Sequence, residues 1–231
     1  MSENEGREIV EAFASLVRIE PVGRPRCLHP VFWVLLTLLA GADPDAGDRQ
    51  RVQALASRLS RTTSTSKVVS VRLAIFFAEQ VLLYFETAYP GDKRPRRALE
   101  AAKAWYDDPS PTNTAEVEAA VENAATVVEA TRGDSDAAHW AASAAESAAL
   151  TAGVDVADWA ATFRADYLEE VQNSGADPAG LGYAYGDEAE ELHRDSAAAA
   201  ADGAFGALLN ANQEVPGRVL LHRLLEEGLA L

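Results

Sequence analysis

Apolar residues recur along this chain at three- and four-residue spacings, and no useful stretch alternates apolar with polar. That is the period of a helix and not of a strand. Residues 3–18 predict a first helix, with Ile9, Phe13, Leu16 and Val17 on one face. Ser2 and Glu5 stand at capping-box spacing before it. Pro21, Gly23 and Pro25 then interrupt the pattern. An apolar helix is expected over 30–40, with Pro30 in its first turn. Residues 46–61 place Val52, Leu55, Ala56 and Leu59 on one side. The stretch 60–66 is rich in Ser and Thr and reads as a loop. Over 67–89, Leu73, Phe76, Phe77, Val81, Leu82 and Phe85 predict a helix buried on most sides. Pro90, Gly91 and Pro95 punctuate a turn, and Pro95 suits the start of the next helix, 95–106.

Asn113 and Glu116, at N-cap and N3 spacing, predict the start of an Ala/Glu-rich series over 114–131, 135–152 and 155–173. Gly133 and Gly153 fall where helix C-terminal caps belong. A glycine-rich loop over 174–186 precedes helices at 187–211 and 217–229. The expected fold is therefore all-α, with about ten helices in a bundle or helical-hairpin array. The loop at 60–66 divides the expectation into an N-terminal helical annex, 1–65, and a main α-helical domain, 66–231. Much of the hydrophobic 48% is alanine, which favours helices but makes thin core layers.

Charge changes this picture more than composition does. The net charge is −16, unevenly placed. Residues 1–100 hold 14 basic and 12 acidic side chains, a net of +2, and residues 101–231 hold 6 and 24, a net of −18. Such a surface repels nucleic acid and anionic membranes and steers basic proteins inward. The expected partner is thus a protein, with a basic toxin or effector in view, and neither nucleic acid nor membrane. The candidate contact residues are Glu116, Glu118, Glu122 and Glu129 on one helix, and Asp187, Glu188, Glu190 and Glu191 after the glycine-rich loop. For any one of them taken singly, a solvated helix face is the simpler reading. In the opposite sense, Lys93, Arg94, Arg96 and Arg97 crowd a helix start, where cations oppose the helix dipole. This basic turn requires anionic partners: Asp92, Glu86 or Glu100 within the chain, or an acidic group outside it.

One cysteine, Cys27, permits no intrachain disulfide and suits a reducing compartment. The first residues lack the basic and apolar regions of a secretory signal. The longest apolar run, 31–40, covers about 15 Å as a helix, half of a bilayer core. A cytoplasmic location is the expectation.

Catalytic chemistry finds few footholds. Asp136 and His139, like Glu190 and His193, stand one helical turn apart and resemble half of a dimetal carboxylate–histidine bundle. Cys27 and His29 lie two apart, but a thiolate also needs an orienting third group. There is no Gly-x-Ser-x-Gly element and no Gly-rich phosphate loop. Trp33, Trp105, Trp140 and Trp159 fall on separate helices and read as core anchors. No cofactor is expected.

One block of sequence carries a family resemblance. It runs Phe77-Ala78-Glu79-Gln80-Val81-Leu82, then Phe85-Glu86, Tyr89-Pro90-Gly91-Asp92 and Arg94-Pro95-Arg96. It continues as Ala98-Leu99-Glu100-Ala101-Ala102-Lys103-Ala104-Trp105, and later Asp136-Ala137-Ala138-His139-Trp140. Over roughly 70–170 this resembles the Imm-5-like family of bacterial immunity proteins. Where family members often carry histidine, this chain has Glu122 and Asn123. The resemblance implies an all-α fold and a role in neutralising a toxin by binding it. An inhibitor-type component of a bacterial toxin or defence system is the leading expectation. A helical adaptor or regulatory subunit and a dimetal bundle enzyme are the alternatives.

Overall fold

The computed structural model describes residues 3–42, 44–60, 66–132, 136–153, 185–212 and 214–231. The helix expected over 155–173, the loop up to residue 184, Trp159, Gly133 and the Ser2 cap lie outside the described residues. Among the described residues there are nine helices and no strand. They are α1 (Glu3–Val17), α2 (Pro30–Gly41), α3 (Ala46–Leu59), α4 (Lys67–Ala88), α5 (Arg94–Asp107), α6 (Pro111–Thr131), α7 (Ala137–Gly153), α8 (Tyr185–Ala211) and α9 (Gly217–Gly228). The all-α expectation is borne out.

Helix α1 packs on both α2 and α3. Ile9 and Phe13 of α1 are buried where α1 meets α2 and α3. The expected stripe of α3, Val52, Leu55, Ala56 and Leu59, is the buried one. An Asp45–Asp48 capping box starts α3, each carboxylate accepting from the other residue's backbone N–H at 3.0 and 2.9 Å. Chain exit from α1 is unusual. Glu20 N–H donates to Ser15 O and Ile19 N–H to Leu16 O, a Schellman closure. It forces Ile19 to a φ of 59°, with its side chain 93% exposed.

Helix α4 is the axis of the molecule. Phe77, Phe85, Val81 and Leu82 are enclosed by α5, α7 and α8. By length and hydropathy α4 matches a membrane-crossing helix, a feature the count of uninterrupted apolar residues passed over because Arg72 and Glu79 break the run. More than half of its most apolar window is buried within the fold, as a core helix requires. α2 packs on α8 and α9, so Leu28, Phe32 and Leu35 share one continuous buried cluster with Ala201 and Leu221.

The alanine-rich helices α7 and α8 pack most closely. Ala141, Ala144, Ala145 and Ala148 of α7 are fully buried, as are Ala197, Ala200, Ala201 and Ala204 of α8. Glycine sets the separation. A Cβ on Gly203 would stand 3.1 Å from Trp140 O and Ala144 N, and one on Gly206 would stand 2.7 Å from the Trp140 ring. Small side chains let the backbones approach, and the thin layers expected of alanine become a close interface.

One helix start differs from expectation. α6 begins at Pro111, capped by Ser110, whose hydroxyl accepts from Asn113 N–H at 3.4 Å. Proline has no N–H to satisfy and takes the first helical position readily. Asn113 is inside the helix and turns its amide outward, donating to Asp108 O at 2.7 Å and Ala104 O at 3.2 Å.

Candidate functional site

The basic turn becomes the root of a groove. Asp92, just before α5, accepts from Arg94 N–H and so caps the helix. The same carboxylate receives the Arg94 guanidinium, with Nη2 at 2.5 Å from Oδ2. Arg96 forms a two-pronged pair with Glu86 at 2.9 and 2.6 Å, and Lys93 approaches Glu86 at 3.7 Å. Both carboxylates are held below their ordinary pKa, chiefly by the hydrogen bonds from Arg96 to Glu86 and from Arg94 to Asp92. Three of the four cations thus find intramolecular anions, which offsets their conflict with the helix dipole. Arg97 is exposed and has no anionic partner among the described residues.

Two cross-links brace α5 against α6. Arg94 Nη1 donates to Thr126 Oγ1 at 2.7 Å, and Trp105 Nε1 donates to Thr114 Oγ1 at 3.2 Å. Pairing 94 with 126 and 105 with 114 fixes an antiparallel hairpin. Between the braces runs a groove of about 600 Å³. Ala101, Ala104 and Ala120 line it, and Arg97, Glu100 and Glu116 give it charge. In the antiparallel register Arg97 faces the Asn123 end, whereas Glu116 faces the Ala104 end. Seven residues of helix separate those ends, about 10 Å. The groove therefore has a cationic end and an acidic end.

This geometry sorts the sequence candidates. Glu118, Glu122 and Glu129 are exposed and spaced by four and seven residues, on the side of α6 opposite buried Val117, Ala124 and Val127. Glu116, two residues before Glu118, instead borders the groove. Glu129 is paired with Arg132 at 2.8 Å. The side chains of Asp187, Glu188, Glu190 and Glu191, near the start of α8, lie outside the described residues. Arg94, Arg97 and Glu116 are the candidates the fold brings to one groove.

The candidate metal and nucleophile pairs have other occupations. Asp136 accepts from Ala138 and His139 N–H at 3.0 Å and works as a helix cap. His139 Nδ1 meets Thr131 Oγ1 at 3.1 Å. His193 is buried against Ser70. Among the described residues no three His, Cys, Asp or Glu side chains converge as a metal site. Burial raises the Cys27 thiol pKa, the reverse of nucleophile activation, and its Sγ lies 3.7 Å from Glu5 O.

Sequence reading missed two buried polar assemblies. In the first, His29 Nδ1 accepts from Val31 N–H at 3.3 Å, which leaves Nε2 as the protonated nitrogen facing Ser70 Oγ at 3.1 Å. Ser70 in turn meets His193 Nδ1 at 3.0 Å. This joins the cap of α2 to α4 and α8. Burial first, then the charges of Arg194, His193 and Arg24, lowers the His29 pKa to about 3, so the ring is neutral. In the second, Asp48 meets His222 Nε2 at 2.8 Å and Arg218 at 3.4 Å, and Arg218 reaches Asp45 at 2.7 Å. That fastens α9 to the start of α3. The one signal available was a serine inside the long apolar helix α4. Its partners are 41 and 123 residues away.

The fold and groove define an all-α protein whose distinctive surface is a braced helical hairpin. Residues 60–163, which include α4 to α7, match the family model described as Imm-5 like putative immunity protein. The resemblance read from the Tyr89–Asp92 turn and the α5 helix is thereby borne out as a similarity of this segment to that family. No curated protein and no solved structure matches the chain.

Proposed function

We propose that this chain is an immunity-type binding protein that neutralises a basic toxin by occupying its surface, with the α5–α6 hairpin as the contact. The observation that carries this reading is a coincidence of place. The Imm-5-like match spans the helices that build the groove, and the groove unites Arg97 with Glu116. The outer side of α6 adds Glu118 and Glu122, both exposed. An acidic face of this kind accelerates encounter with a cationic protein, and the mixed charge of the groove gives orientation. The Ala101–Ala120 lining leaves room for a partner's side chains.

Co-expression with the products of adjacent genes tests the reading. The expected result is relief of one product's toxicity, and a complex recoverable by affinity purification. Reversal of Glu116, Glu118 and Glu122 to lysine should weaken that complex by at least tenfold, about 1.4 kcal/mol. If no neighbouring product is toxic, or protection survives the triple reversal together with Arg97→Ala, the hairpin is not the contact.

A further inference from the structure

A second groove, of about 500 Å³, lies between α2 and α8. From α2 it is lined by Trp33 and Thr37, and from α8 by Asp195, Ala198 and Asp202. The α8 positions form one stripe, since steps of three and four residues keep to one helix face. Asp195 and Asp202 are seven residues apart, so about 10 Å of helix separates them. Alanine between them keeps the floor low. Among the described residues no lysine or arginine lines the groove.

Asp202 is the informative residue. Its carboxyl is half-buried, and burial raises its pKa. Among the described residues nothing donates a hydrogen bond to it. Glu86, Asp92 and Asp48 are paired, with Arg96, Arg94 and His222. Glu146 on α7 is half-buried like Asp202, and what sets Asp202 apart is that it lines a groove shared with Trp33. A desolvated carboxylate without a partner costs free energy that an incoming cation recovers. The half-buried Trp33 indole lines the opposite wall, and indole is the ring that best attracts a guanidinium or ammonium.

We propose that the α2–α8 groove receives an arginine or lysine side chain of the protein partner, held between the Trp33 ring and the Asp202 carboxylate. The proposal rests on the reading of this chain as a binder of a basic protein, and it names a second point of attachment, outside the Imm-5-like segment.

The test uses the full chain with its indole nitrogens labelled, the Trp33 signal being assigned from its loss in Trp33→Phe. The probe is acetyl-Arg-Ala-Ala-Arg-amide, and the control is acetyl-Gln-Ala-Ala-Gln-amide. At neutral pH the basic peptide should shift the Trp33 signal saturably, and the control should not. Asp202→Asn, which keeps the side-chain shape, should weaken the interaction about tenfold, the loss expected for a charge-assisted bond. Absence of a saturable shift overturns the proposal. An equal affinity in Asp202→Asn does the same. So does a Trp33 signal that Asp202→Asn alone displaces while the peptide leaves it unmoved, because the groove would then already be filled by this chain. Toxin binding, measured in parallel, separates the two readings. Peptide seating without toxin binding removes the immunity reading and keeps the groove. Toxin bound equally by wild type and Asp202→Asn removes the groove and keeps the immunity reading.

Discussion

Ile19 sits in a conformation that suits glycine. A β-branched residue in the left-handed region carries a steric cost of about 1–2 kcal/mol. Its side chain is 93% exposed, so burial returns almost nothing. Ile19→Gly removes the strain, and the extra freedom glycine gives the unfolded chain offsets part of the gain. The expected net effect is a stabilisation of about 0.5–1 kcal/mol, read as a higher urea midpoint. A midpoint that stays put or falls would show that the Arg18–Glu20 pair, at 2.7 Å, already relaxes this turn. At the same scale, His29 makes stability depend on pH. Its folded pKa is about 3, against an unfolded value near 6.5. Because the folded value is the lower one, the contribution is complete above pH 6.5 and declines as acid is added, until about pH 3. Between pH 8 and pH 5 this one group should remove about 2 kcal/mol. His29→Asn retains a good helix cap but no longer reaches Ser70. It should cost about 1 kcal/mol at pH 8 and lose less stability than wild type on going to pH 5. Parallel pH profiles for the two proteins would refute the assignment.

Between elements, the α7–α8 interface sets up a contest of signs. On propensity, Gly203→Ala inside a helix should stabilise by about 1 kcal/mol. On packing, the new methyl meets Trp140 O and Ala144 N, backbone atoms that cannot turn aside. Overpacking of this kind costs about 1–3 kcal/mol, so net destabilisation is expected in chemical unfolding. A gain would mean that α8 slides on α7 freely. Most elements were legible before the fold was known, because period and punctuation suffice for single helices. The α3 stripe, the Pro95 start and the intramolecular pairing of the basic turn needed only local sequence. The start of α6 was misread because two capping patterns overlap within four residues, and Pro111, which needs no donor partner, decides between them. The groove was not legible. It depends on the antiparallel register that Arg94–Thr126 and Trp105–Thr114 impose, and neither bond is implied by the spacing of Glu116 and Glu118. The His29–Ser70–His193 assembly is further out of reach, since helix periodicity says which face is buried and not which distant polar group shares it.

For the molecule as a whole, the charge distribution makes salt act in opposite directions on stability and on binding. Residues 101–231 carry 24 acidic side chains against 6 basic ones, so one-to-one pairing within that half can neutralise only a minority of its carboxylates. Self-repulsion of this kind favours the expanded chain. Raising NaCl from 10 mM to 0.5 M shortens the screening length from about 30 Å to a few ångströms. The urea midpoint should therefore rise with NaCl, against the smaller loss from screened surface pairs such as Arg223–Glu227 and Arg132–Glu129, each worth about 1 kcal/mol or less. Over the same range the affinity for a basic toxin should fall steeply, because the field that repels within the chain is the field that attracts the partner. Chloride is the appropriate anion, since sulfate strengthens apolar burial by itself. Lysine substitution of Glu118 and Glu122, on the outer side of α6, should reduce both slopes together. A midpoint that falls with NaCl would show that the acidic half is held by paired charges. A rising midpoint with salt-independent toxin affinity would make the acidity a matter of surface solvation and leave binding to the grooves alone.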